Sequence, residues 1–259
     1  MNKTCAIVIT MMGLAPISVA FSAPHWTHEE QAEWGAIEDT SQSAVPLMYP
    51  YAECTIGAHQ SPVDLSNQSK AKTVNAPRFN YVRDATDFFN SGHAAQVNTS
   101  SDYKGGISIG ADFYPLIQYH FHAPAEHVIG KTTYPGELHF VHIREDGRIA
   151  VVGVLLEEGD KPSRTVDLIL RNTPTTQETH NTTSGITLNP ASLLPKEWKN
   201  FYTYAGSLTT PPCSEGVSWY VLEKPLIVTP KQIHKLKSLY ENNNRLPQNL
   251  NGRVVTGNH

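Results

Sequence analysis

Cysteine is scarce, with three in 259 residues. Charged side chains are scarce too, at 17% of the chain, and they balance to a formal −4. A cationic footprint for a phosphate polymer is missing, which argues against a nucleic-acid partner. Beyond residue 23 no apolar run reaches the roughly 20 residues that a membrane helix needs. The helical zinc-protease signature His-Glu-x-x-His does not occur. No internal repeat and no linker-like stretch divides the sequence, so its length fits one domain. An apolar content of 39% is enough for a globular core.

What is present begins with a leader. Lys3 precedes an apolar stretch, residues 6–20, broken by Thr10, Gly13, Pro16 and Ser18. Small residues follow, so residues 1–23 read as an export signal removed after Ala20, Ser22 or Ala23. Residues 24–259 would then be the folded domain. The apolar stretch is too short for a membrane anchor, and Cys5 has no lipobox before it. Cys54 and Cys213 remain. An even pair in an exported chain favours a disulfide, with two buried free thiols as the alternative.

Gly (17) and Pro (18) punctuate the chain often. Short strand-like runs lie between them at 107–109, 116–122, 138–143, 149–156 and 219–222. Helical periodicity is clear only at 230–240. There Ile233, Leu236, Leu239 and Tyr240 share a face, and Thr229-Pro230 supplies a cap and first turn. The Thr-rich stretch 172–185 and the stretch 38–50 read as polar loops. One mixed but predominantly β domain is the expectation.

Five of the 12 histidines fall close together: His120, His122, His127, His139 and His142. In a strand through 116–122, Leu116, Gln118, His120 and His122 share one face, and Ile117, Tyr119 and Phe121 share the other, a core face. The two imidazoles then stand about 7 Å apart along the strand. In a second strand, Glu137, His139, Val141 and Ile143 share a face, and Leu138, Phe140 and His142 take the opposite one. If the strands are neighbours, His139 meets His120 and His122. Three imidazoles suit Zn2+ and leave a fourth position open, the catalytic rather than the structural pattern. Gln118 and Glu137 sit two residues before a candidate ligand, placed to accept its free ring N–H. His142 and His127 read as buried partners in the core. His25, His28, His59, His180, His234 and His259 read as surface or local-contact residues.

These motifs resemble the α-class carbonic anhydrases, in the exported bacterial form. The resemblance runs through His59-Gln60-Ser61-Pro62-Val63-Asp64, Ser91-Gly92-His93-Ala94 and Gln118-Tyr119-His120-Phe121-His122. It continues through Glu126-His127, Glu137-Leu138-His139, residues 149–153, residues 206–212 and Arg245…Gln248…Arg253. It implies a single domain around a large, mostly antiparallel, twisted sheet with a few short peripheral helices. It implies reversible hydration of carbon dioxide, with His120, His122 and His139 holding Zn2+. Thr209 would orient the attacking hydroxide by donating to Glu126, and His93 would shuttle the proton. Val141, Val151, Leu208, Val217 and Trp219 would wall the carbon dioxide site, with Thr209 and Thr210 touching bicarbonate. Secondary esterase activity, a periplasmic location and a homodimer are further implications.

Four positions depart from the family pattern: His28, where a Tyr is usual, Ser91 and Gln96 beside the expected shuttle, and Leu246 for a common Pro. Two other readings stay open. One is an exported binding module that keeps zinc without turnover, and the other is a zinc hydrolase acting on esters.

Overall fold

The computed structural model describes residues 23–40, 48–66, 68–70, 75–130 and 132–258. The expected leader lies outside the described residues except for Ala23, as do residues 41–47 of the first expected loop. Seven strands form the middle of one large mixed sheet. In chain order they are β1 (Asp87–Asn90), β2 (Ala95–Asn98), β3 (Asp112–His122), β4 (Gly136–Ile143), β5 (Ile149–Glu158), β6 (Phe201–Ser207) and β7 (Glu215–Val228). Their spatial order is β6-β7-β5-β4-β3-β2-β1. Val255–Gly257 and then Gln68–Lys70 extend the β6 side, and Thr179–Asn181 extends the β1 side. Most pairings are antiparallel. β5 with β7, and Gln68–Lys70 with Val255–Gly257, are parallel. The sheet is thus mixed, as the fold class requires, and not purely antiparallel.

One sheet face carries the larger core. Phe88, Val97, Tyr119, Phe121, Leu138, Phe140, Val152 and Val154 are buried there against Val166, Ile169, Ile233 and Leu236. Those last four come from helices Arg164–Asn172 and Pro230–Lys237. The second helix starts where the sequence says, with a capping box between Thr229 and Gln232. It ends at Lys237, short of the expected Tyr240. The opposite face buries Val141, Val151, Tyr204, Val217 and Trp219.

Two local expectations change. The register of β3 against β4 passes from Val141↔Gln118 directly to His142↔Leu116, so Ile117 is left over as a bulge. Strict alternation ends there. Leu116 joins the core of Tyr119 and Phe121, and Ile117 turns outward, 43% exposed. Residues 172–185 are not wholly loop either. Thr179–Asn181 pairs with β1, because a sheet edge offers unpaired backbone groups that even a Thr-rich segment can satisfy.

Cys54, on the short helix Glu53–Ile56, is bonded to Cys213, 159 positions further along the sequence, with Cα atoms 5.0 Å apart. Trp34 and Tyr51 pack around the bridge. Chain-entropy reasoning values a loop of that length at about 4–5 kcal/mol. The Cys54→Ser/Cys213→Ser variant is therefore expected to unfold several degrees lower in calorimetry, and an unchanged midpoint would refute this.

Candidate functional site

The site is built where β3 and β4 pair. His139 lies directly across from His120, and Glu137 across from His122. Cross-strand neighbours on one face are close enough for side chains to meet. The ligand-type nitrogens of His120, His122 and His139 all lie within 4.8 Å of one another. His120 Nε2 and His122 Nε2 are 3.0 Å apart.

Two of the imidazoles are hydrogen-bonded at their other nitrogen, and the third faces a carboxylate there. His120 Nδ1–H donates to Gln118 Oε1 at 2.8 Å, and His122 Nδ1–H donates to the Asn243 carbonyl. His139 Nε2 faces Glu137 Oε1 at 3.0 Å. Burial lowers the pKa of all three, and repulsion from neighbouring imidazoles adds to it, from His122 and His139 at His120, from His127 at His122 and from His122 at His139. They are neutral at pH 7, so His120 Nε2, His122 Nε2 and His139 Nδ1 converge with free lone pairs. Three neutral nitrogen donors with fixed tautomers fit a zinc ion well.

Glu137 is fully buried. Its Oε2 accepts the backbone N–H groups of Glu126 and His127 at 3.0 and 2.8 Å, and its Oε1 accepts His127 Nδ1–H at 2.7 Å. Burial alone would raise its pKa, but His127 and His139 hold it well below the carboxylate range. It is an anion.

Glu126 lies beneath the same cluster. Its Oε1 accepts the Arg245 backbone N–H at 2.8 Å. Its Oε2 is 3.6 Å from His122 Nε2 and 3.8 Å from His139 Nδ1, beyond hydrogen-bond reach, and has no hydrogen-bond partner among the described residues. Burial pushes this carboxyl up, against the pull of His139, the Arg245 N–H and the Thr209 hydroxyl. Arg245 is itself a buried hub. Its guanidinium donates to Gln60 Oε1 and to the carbonyls of Ser61 and Cys54.

A cavity of about 230 Å³ opens above the imidazoles, lined by Gln118, His120, His139, Val141, Val151, Leu208, Thr209, Thr210 and Trp219. Ile143 and Ile149 also line it. Sequence reasoning placed Ile143 on the right face but gave it no wall role, and missed Ile149. Val217 lies in the buried cluster behind this wall and does not line the cavity.

His93 stands elsewhere. Its ring stacks on Trp26, with centroids 3.7 Å apart and planes 8° from parallel. It lines a second cavity of about 260 Å³ with His25, His28, Tyr240 and Asn243. Asn243 joins the two regions, since its Nδ2 donates to the His93 carbonyl and its own carbonyl holds His122. Ser91 Oγ accepts the N–H groups of His93 and Ala94, which shapes the turn that presents His93. Gln96 donates to Asn98 instead of facing His93. Leu246 is 60% exposed.

His28 is not a surface residue: it is 7% exposed, and its Nε2 has no hydrogen-bond partner among the described residues. Burial takes its pKa to about 3, and burial does the same to His142. An unfolded His titrates near 6.5. Between pH 6.5 and 3 the unfolded chain therefore binds protons that the folded chain refuses. The stability these two groups contribute is complete above pH 6.5 and is lost as pH falls through that window. Urea unfolding at pH 7, 6, 5 and 4 is expected to show stability dropping by up to about 1.4 kcal/mol per unit for each group. A flat profile would contradict this.

The fold and the site define a protein built on one large mixed sheet, whose centre is a three-imidazole cluster able to hold a metal ion beside a walled cavity. The model of the eukaryotic-type carbonic anhydrase family matches residues 45–259. The chain belongs to that family, and it is a carbonic anhydrase, an enzyme of carbon dioxide hydration. It is 32% identical to the carbonic anhydrase of Klebsiella pneumoniae over 258 residues, covering 98% of this chain and 99% of that one. It is 37% identical to the carbonic anhydrase of Neisseria gonorrhoeae over 244 residues, covering 91% of each. A solved hyperthermostable carbonic anhydrase from an active hydrothermal vent chimney superposes with a TM-score of 0.80 at 36% identity, covering 90% of this chain and 99% of that one. Among the described residues no helix is long and apolar enough to cross a membrane.

Proposed function

We propose that this chain is a zinc enzyme in which His120, His122 and His139 hold the ion through Nε2, Nε2 and Nδ1. The carrying observation is the convergence of three neutral imidazoles, His120 half-buried and His122 and His139 buried, with His120 and His122 hydrogen-bonded at their other nitrogen and His139 facing Glu137 there. A bound zinc ion supplies Lewis acidity that makes water a nucleophile near pH 7, a value that belongs to the family's type enzymes and not to this chain.

The protein's own part follows from donor counting. Glu126 Oε1 is committed to the Arg245 N–H. As a carboxylate, Oε2 can only accept, and the Thr209 hydroxyl, which already pulls on this carboxyl, is the donor that would turn to it. Thr209 Oγ then has only acceptor capacity left for the cavity. It takes a hydrogen bond from a protonated nucleophile and turns that nucleophile's lone pair toward the substrate. The backbone N–H of Thr209 is the donor placed for a developing negative oxygen. Val141, Val151, Leu208 and Trp219, with Ile143 and Ile149, give an uncharged gas an apolar wall, and Thr210 is placed to touch bicarbonate. Activated esters entering the same cavity would be cleaved as a secondary activity.

His93 takes the departing proton to solvent. Its pKa is lowered by burial, which favours handing the proton on. The Cys54–Cys213 bridge supports export to an oxidising compartment, the periplasm, with residues 1–23 as the leader and 24–259 as the working domain.

The test is stopped-flow carbon dioxide hydration by zinc-loaded protein against chelator-stripped protein. Fast turnover restored by one equivalent of zinc is expected. Bound zinc with no turnover would instead favour the binding-module reading.

A further inference from the structure

Behind the cluster runs a chain of buried side chains that the proposed chemistry does not use. Glu137 receives His127 Nδ1–H at 2.7 Å, and His127 Nε2 lies 2.7 Å from the Tyr204 hydroxyl. That hydroxyl lies 2.9 Å from Ser61 Oγ, which also accepts the Ser207 N–H at 3.0 Å. Ser207 Oγ accepts the Ser61 N–H and donates to the Leu208 carbonyl. Trp219 Nε1–H donates to the Ser207 carbonyl. Glu137, His127, Ser61 and Ser207 are each wholly buried, and Tyr204 nearly so. Burial also keeps the Tyr204 phenol protonated by pushing its pKa up.

Two ends of the site therefore hang on one thread. At one end Glu137 faces His139, and at the other Ser207 and Leu208 lead directly into Thr209. The thread is tight. A Cβ on Gly206 would fall 2.1 Å from Ser61 Oγ, so only glycine leaves room for the hydroxyl.

We propose that Tyr204 and His127 are positioning residues for the metal centre: through Glu137 they fix the ring orientation of His139, and through Ser61 and Ser207 they hold the Thr209 segment in register with it. Neither touches the reacting atoms. Without the Tyr204 hydroxyl, His127 Nε2 and Ser61 Oγ lose a shared partner in a dry interior. His127 is then free to tilt, and Glu137 loses one of the donors that aim it. Outer partners of metal-ligating imidazoles commonly change metal affinity about 10- to 100-fold, and a group one bond farther out belongs at the low end of that range.

The structure contains a matched control. Tyr81 and His142 form a second buried Tyr–His pair, with the hydroxyl 2.8 Å from Nε2. There Nδ1–H ends on the Ala150 carbonyl instead of a carboxylate facing the cluster. Both pairs are buried against the same sheet, so Tyr81→Phe and Tyr204→Phe remove the same atom from similar surroundings.

This inference rests on the zinc reading, and one experiment separates their fates. Zinc loss from the loaded protein is timed with a chromophoric chelator, beside thermal midpoints, for the native chain, Tyr204→Phe and Tyr81→Phe. Tyr204→Phe is expected to lose zinc about tenfold faster, while Tyr81→Phe keeps the native rate even where its midpoint falls as far. Ser61→Ala breaks the thread one link farther out and gives a smaller change in the same direction, which serves if Tyr204→Phe does not fold. Native zinc retention in Tyr204→Phe, or equal acceleration in Tyr81→Phe, overturns the inference and leaves the zinc reading standing. A native chain that takes up no zinc overturns both.

Discussion

His139→Ala will hold no stoichiometric zinc and will hydrate carbon dioxide no faster than the chelator-stripped native chain. The expectation follows from where His139 sits. It is the one proposed ligand on β4, facing two on β3, and two imidazoles cannot fill a site of this class. The change also takes a partner from Glu137, a buried anion. The folded state should therefore lose about 1–3 kcal/mol as well, the usual cost of leaving a buried polar group short of a partner. Metal analysis after gel filtration and stopped-flow assay together check this. A variant that kept both zinc and rate would remove His139 from the site.

Thr209→Ala will lower kcat/KM for carbon dioxide about 100-fold with zinc still bound, equivalent to about 2.7 kcal/mol of transition-state stabilisation. Thr209→Ser keeps the hydroxyl and should keep most of the rate. Glu126→Gln should fall by a similar factor. Its amide can turn an N–H toward Thr209, which removes the reason for the hydroxyl to point one way. Because the two residues act as a unit, the double variant should be little worse than either single one. Additive losses would show that they act separately, and an unchanged rate in Thr209→Ala would end the orienting role.

The convergence of the imidazoles could be read from the sequence because it needed only a period of two and an assumption that two strands are neighbours. His120, His122 and His139 fell on facing strands for that reason, and Gln118 and Glu137 came with them. The helix at Pro230 could be read because its cap chemistry is local. The bulge at Ile117 could not be read, since one extra residue leaves no trace in an alternating pattern. The supports from far along the chain were equally hidden. Asn243 and Arg245 lie about 120 residues beyond the groups they hold, and they act through a backbone carbonyl and a backbone N–H that any residue possesses. The burial of His28 was missed because it depends on Trp26 and Trp34 closing over it from an N-terminal segment without regular pattern.

That separation also sets a timetable. A chain emerging N-terminus first presents His120, His122 and His139 within a span of 20 residues, on a strand pair that can form early. The clamps on His122 and Glu126 appear about 100 residues later, and the partner of Cys54 lies in the final fifth of the sequence. A half-made chain therefore has its imidazoles side by side but not their final aim. Completion of the carboxyl-terminal segment, not closure of the β3–β4 hairpin, is the event that turns a cluster of histidines into a catalyst.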